Sequence, residues 1–160
     1  MEEILRLERV GRDNFDEYVG LIGKLAEYEN LDPPDRAAKA RLRRDCLKTR
    51  PEFFAYIARI GDRAVGYLAM FYTYSTFLGL KTLFLEDLFL LEEYRRHGFG
   101  REMFAFCVRQ AKKRGCGRLE WAVLDWNKPA HQFFTKLGGI RLGWQHYRLD
   151  RERIENFSDR

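Results

Sequence analysis

LFLEDLFLLEEYRRHGFGR, residues 83–101, decides the fold of this 160-residue chain. Leu83 to Leu90 is apolar except for Glu86 and Asp87, and a run without alternation fits a central strand covered on both faces. The chain then passes through Glu92-Glu93-Tyr94 into a turn, Arg95-Arg96-His97-Gly98-Phe99-Gly100-Arg101. An amphipathic helix follows from about Gly100 to Arg114, with Met103, Phe104, Cys107, Val108 and Ala111 inward, and Gly115 and Gly117 stop it. Glycines in such a turn let several N–H groups converge, and the helix adds its positive N-terminal end, so a phosphate or pyrophosphate fits there. Arg95, Arg96 and Arg101 would add charge-assisted bonds of ~1.5 to 3 kcal/mol each where partly desolvated. The pattern lacks the third glycine and later acidic residue of a dinucleotide fingerprint, and no Gly-Lys-Ser/Thr follows as in a P-loop.

Outward from this stretch, the sequence predicts a short opening strand flanked by Ile4, Leu7 and Val10. Asp13 is then expected to cap a helix reaching about Glu29, and Asp32-Pro33-Pro34 a second, heavily charged one. Phe53 to Ile60, a tight turn at Gly61-Asp62, and Ala64 to about Tyr74 form a hairpin. Past the central helix, Leu119, Trp121 and Val123 alternate as a further strand. Pro129 begins a helix carrying Ala130, Phe133, Phe134 and Leu137 on one face, Gly138-Gly139 ends it, and a final strand is expected over about Gly143 to Leu149. This order gives an α/β (α+β) fold, a mixed sheet sandwiched by helices, and the absence of repeats or linkers suggests one domain over residues 1–160.

Composition excludes two other classes. With 46% hydrophobic and 15% aromatic residues the chain is too apolar for intrinsic disorder, and three cysteines are too few for a disulfide scaffold. The odd cysteine count and the lack of a secretory leader suggest a reducing cytoplasm. The longest uncharged run, Ala64 to Leu80, is shorter than the ~20 residues of a membrane helix. The net charge of +5 is unevenly spread: residues 95–118 hold eight Arg or Lys against the single Glu102, while residues 51–94 hold three basic and six acidic side chains. Such an excess implies a polyanion, though neither an RNA-binding aromatic pattern nor zinc-finger spacing argues for nucleic acid. No Cys or His cluster argues for a metal.

Arg95-x-x-Gly98-x-Gly100, in its strand-loop-helix setting, resembles the Q/R-x-x-G-x-G/A motif of the GNAT superfamily of acyl-CoA-dependent N-acyltransferases. Leu85-Glu86-Asp87, Trp126-Asn127-x-Pro129, Phe133-Phe134-x-Lys136-x-Gly138 and Leu25-Ala26-Glu27-Tyr28-Glu29 are similar to its polyamine- and thialysine-acetylating members. The resemblance implies a mainly antiparallel GNAT-like sheet and acetyl-CoA as co-substrate. The coenzyme's pyrophosphate would lie on the N–H groups of Arg96, His97, Gly98, Phe99, Gly100 and Arg101, and its pantetheine arm on the main chain of Leu88, Phe89 and Leu90. Asn127, Pro129 and Ala130 would touch the far side of the arm, although Asn127 before a proline-initiated helix is equally a simple cap. A homodimer is also implied.

An acceptor amine with a pKa near 10.4 is the free base in roughly one molecule in 2,500 at neutral pH, so deprotonating it costs roughly 4.6 kcal/mol. A carboxylate helps provide this. Adjacent strand residues point to opposite faces, so only one of Glu86 and Asp87 should face the cleft unless the strand bulges. The resemblance points to Glu86 for the proton relay, with Asp87 second, and to Tyr28 and Glu29 as substrate contacts. It also places a tyrosine acid where this chain has Phe134, leaving that role vacant. The expected activity is direct acetyl transfer to a small primary amine. The competing expectations are an acyl-CoA sensing module and an acetyltransferase of protein amines.

Overall fold

The computed structural model describes residues 4–158, and the chain divides into two compact units that meet between residues 122 and 123. The first holds a five-stranded sheet in the order β1-β2-β3-β4-β5. Its strands are β1 (Leu5–Arg9), β2 (Phe54–Ile60), β3 (Arg63–Ser75), β4 (Leu80–Leu90) and β5 (Arg118–Trp121), antiparallel except for the parallel β4–β5 pair. Helices α1 (Phe15–Glu29) and α2 (Arg36–Leu47) cover one face, and α3 (Phe99–Lys113) the other, as the pattern of apolar residues predicts.

Strand alternation divides the core between the faces. Ala55, Ile57, Tyr67, Ala69 and Phe89 meet Phe15, Tyr18 and Leu21 of α1 and Cys46 of α2. On the other face the Tyr56 ring stands edge-on to Phe106 of α3, and Phe104 packs against Trp121, while Met103 and Cys107 are fully buried. Arg59 joins the layers: its guanidinium bonds Glu8 of β1 and, at 2.8 Å, Glu17 of α1. Gly66 allows β3 and β4 to approach, since a Cβ there would lie 2.2 Å from the Phe89 carbonyl oxygen.

Two caps lie elsewhere than the sequence predicts. Asn14, not Asp13, precedes α1, because an amide can do what a carboxylate cannot: its Oδ1 accepts from Gly11 N–H at 2.7 Å while its Nδ2 donates to the Arg9 carbonyl. Asp35, not Asp32, caps α2, accepting from Ala38 N–H at 2.7 Å after the two prolines have been passed.

The second unit contains α4 (Lys128–Lys136) and a short α5 (Arg151–Glu155). The strand expected at Gly143–Leu149 does not form. A strand needs a ladder partner for its backbone groups, and this unit has no other strand among the described residues. Trp144 and Tyr147 are 79% and 95% exposed there. No helix among the described residues is long and apolar enough to cross a membrane.

Candidate active site

The site is built around β4. β5 pairs with it from Thr82 only as far as Leu85, so on that edge Glu86, Asp87, Leu88, Phe89 and Leu90 have no strand neighbour among the described residues. On the other edge, β3 pairs Ala69 with Asp87 but Met70 with Leu85, leaving Glu86 as the extra residue of a bulge. The bulge resets the alternation, so that the adjacent carboxyl groups of Glu86 and Asp87 line the same cleft. This cleft, about 480 Å³, lies on the α1/α2 face, with Tyr18, Asp32, Phe53 and Phe71 among its walls.

Glu86 is exposed and Asp87 partly covered. Burial, reinforced by the charges of Glu86 and Glu29, pushes the Asp87 carboxyl up to about 7, against a smaller opposing influence from the Tyr67 hydroxyl. Glu29, at the end of α1, is itself pushed up by burial. Tyr28 is half-buried against the core, and the Arg95 guanidinium lies 4.8 Å from the centre of its ring. Arg95 also donates from Nε to the Leu90 carbonyl at 2.9 Å, so it is folded inward, whereas Arg96 and Arg101 face solvent.

The connection into α3 has the form a phosphate loop requires. Gly98 has a φ of 90°, which a β-carbon disfavours, and Arg96 also lies in the left-handed region with a φ of 69°. No side chain caps α3, a 15-residue helix whose Arg101 and Glu102 N–H groups close onto the Gly98 carbonyl, and its positive N-terminal end lies beside exposed Arg96 and Arg101. His97 stacks on the buried Phe99, and Gly100 continues the helix. The free edge of β4 presents a backbone ladder that can receive an amide-bearing arm, so the loop and the strand together fit a coenzyme A molecule.

The first unit thus brings together Tyr28, Glu29, Glu86, Asp87 and the β4–α3 connection. In the second unit Asn127 is buried and caps α4, its Oδ1 accepting from Ala130 N–H at 3.2 Å, with Pro129 in the first turn. Phe134 stands edge-on to Phe133, centroids 5.0 Å apart. Sequence reasoning missed Tyr18, Asp32 and Tyr67. Tyr67 shares the parity of Ala69, and only the β3–β4 register, which pairs Ala69 with Asp87, links it to the site.

The Acetyltransferase (GNAT) family model matches residues 17–139. The thialysine N-epsilon-acetyltransferase of Caenorhabditis elegans is 32% identical over 151 residues, covering 92% of each chain. Among solved structures, an integron cassette protein from the mobile metagenome of V. cholerae superimposes with a TM-score of 0.81 at 18% identity, over 97% of this chain and 96% of that one. The aminoglycoside N-acetyltransferase AAC(6')-Iy in complex with CoA does so with a TM-score of 0.76 at 18% identity, over 94% and 97%. With a buried central strand that bulges at Glu86, a glycine turn into an uncapped helix, and relatives that match nearly end to end, the chain belongs to the GNAT family of acetyltransferases.

Proposed function

We propose that this acetyl-CoA-dependent N-acetyltransferase acts on a primary amine of a small molecule, a polyamine, diamine or lysine-like amino acid, by direct attack. The bulge at Glu86 carries the reading, because it aims two carboxyl groups into one cleft on the strand whose opposite edge is open to the acyl donor. When bound, acetyl-CoA supplies an activated thioester. Backbone N–H groups of Arg96 to Arg101, at the start of α3, hold its pyrophosphate, and Leu88, Phe89 and Leu90 hold its arm through their main chain. A β4 N–H beside the bulge polarises the thioester carbonyl.

The acceptor enters from the α1/α2 side, where a cleft walled by Glu86, Asp87 and Asp32 attracts a cation although the chain as a whole is basic. Glu86, exposed at the bulge, takes the amine's proton directly or through water. Tyr28 and Glu29 contact the remote part of the acceptor, and Asn127, Pro129 and Ala130 the far side of the coenzyme arm. Phe134 has no proton to give, so the thiolate leaves unaided or is protonated by water. We assign both units to one acyltransferase domain, a reading supported by a family match that runs from residue 17 in the first unit to residue 139 in the second. We assign the protein to a homodimer as well, a reading supported by the exposed Trp144 and Tyr147. Its three unbonded cysteines favour the cytoplasm.

The test is thiol release from acetyl-CoA with a panel of polyamines, diamines, lysine analogues and peptides. Release with a small amine is expected. CoA binding without release to any amine would replace the enzyme by a sensor, and release with peptides alone would make the acceptor a protein.

A further inference from the structure

Tyr67 is fully buried, and its hydroxyl closes no hydrogen bond of ordinary length and angle. Native proteins rarely leave such a group unpaired without a use for it. Its ring is fixed edge-on to Tyr18, centroids 5.3 Å apart at 80°, and tilted against Phe89 at 6.0 Å. The β3–β4 register pairs Tyr67 with Phe89 and Ala69 with Asp87, which puts Tyr67 and Asp87 on one face as diagonal neighbours. The hydroxyl and the carboxyl therefore stand close enough to act on one another, although the hydroxyl meets no acceptor at ordinary hydrogen-bond geometry.

The groups that act on Asp87 are Glu86 from its own strand, Glu29 from α1 and Tyr67 from β3. Tyr18 of α1 faces it too, with the Cys46 thiol of α2 behind that ring, and Asp32 shares the cleft. Arg95, a cation on this side, is occupied with the Leu90 carbonyl and the Tyr28 and Phe89 rings. The cleft wall thus gathers carboxyl groups with an unpartnered hydroxyl behind them.

We propose that Asp87 is a second proton-exchanging group of the cleft, beside Glu86: it shares a proton with solvent around neutrality before the acceptor arrives, gives that proton up when a cationic acceptor binds, and the Tyr67 hydroxyl then donates to the carboxylate and fixes its position. The Asp87 O–H bond breaks, the proton passes to water, and the carboxylate faces the incoming ammonium; no electrons change hands. Tyr67 is a positioning residue, acting through Asp87. The inference rests on the acceptor being an amine, and it makes amine binding tighten as pH rises through neutrality.

The experiment follows the Asp87 side-chain carboxyl by ¹³C NMR in the full chain as pH is raised, with Asp87→Asn identifying the resonance. A midpoint near neutrality is expected, moved up by about 0.5 to 1 unit in Tyr67→Phe, the worth of one lost hydrogen bond to the charged form. Adding thialysine should move it down, and calorimetry of thialysine binding at neutral pH in two buffers of different ionisation enthalpy should count about half a proton released. A wild-type midpoint in the ordinary carboxylate range overturns the inference, as does amine binding with no proton released. An unchanged midpoint in folded Tyr67→Phe removes Tyr67 from the positioning role. Absence of thiol release with every amine would strike the proposed function instead, leaving the midpoint of the free enzyme to stand or fall separately.

Discussion

Replacing Asp87 by Asn should stabilise the protein, and by an amount that grows with pH. Asp87 titrates near 7 in the folded chain, against 3.8 for a free side chain. Because the native state holds this proton more tightly than the unfolded state does, stability is lost as pH rises from the lower value to the higher and stays low above it. The gap of about 3 units at ~1.4 kcal/mol each sets the full penalty at about 4 kcal/mol. Between about pH 5.5 and pH 8.5 the part still to be lost is about 2 kcal/mol. Asn keeps the shape of the side chain and cannot ionise, so the variant escapes that loss. Urea denaturation of both proteins at the two pH values, analysed with a common slope, measures the difference directly. An Asn increment that is the same at both pH values would show that Asp87 ionises normally in the folded chain and would refute the reasoning.

Glu86→Gln should depress turnover most at neutral pH, with the deficit shrinking as pH approaches the amine's own pKa; a parallel pH–rate profile would remove Glu86 from the base role. Gly98→Val should weaken CoA binding about tenfold, since a β-branched residue at a φ of 90° distorts the loop, and the same strain should cost about 1 to 2 kcal/mol in urea unfolding although no atom stands in the way of the new side chain; isothermal titration with CoA reads the first effect. Gly66→Ala should cost more than about 2 kcal/mol in urea unfolding, because a methyl group 2.2 Å from the Phe89 oxygen forces β3 and β4 apart.

Much of this fold was legible because its cues are local and periodic. Leu83 to Leu90 announced a strand covered on both faces, and β4 indeed lies inside the sheet between β3 and β5. The Arg95–Arg101 turn announced an open helix start, and α3 begins at Phe99 without a side-chain cap. The candidate site was legible to the level of residue type, since two acids in an apolar run call for an explanation. How both reach one cleft was not legible, because a bulge depends on the β3–β4 register, which no single strand encodes. Tyr67 was hidden for a related reason: in sequence it is one more strand aromatic, and its unpaired hydroxyl exists only once Tyr18 and Phe89 close around it. The strand expected at Gly143–Leu149 does not form because a stretch can favour extended backbone without having a neighbour to pair with.

The parting of β5 from β4 at Leu85 bears on how such an enzyme changes its choice of substrate. On the proposed assignment, one strand would serve two customers from opposite sides. Its exposed edge offers main-chain atoms, which mutation hardly touches, and its helix-covered face offers side chains, which mutation rewrites freely. Substitutions around Asp32, Phe53 and Phe71 can therefore retune acceptor preference while the donor groove stays as it was, and a library confined to those positions should yield new acceptors without loss of coenzyme affinity.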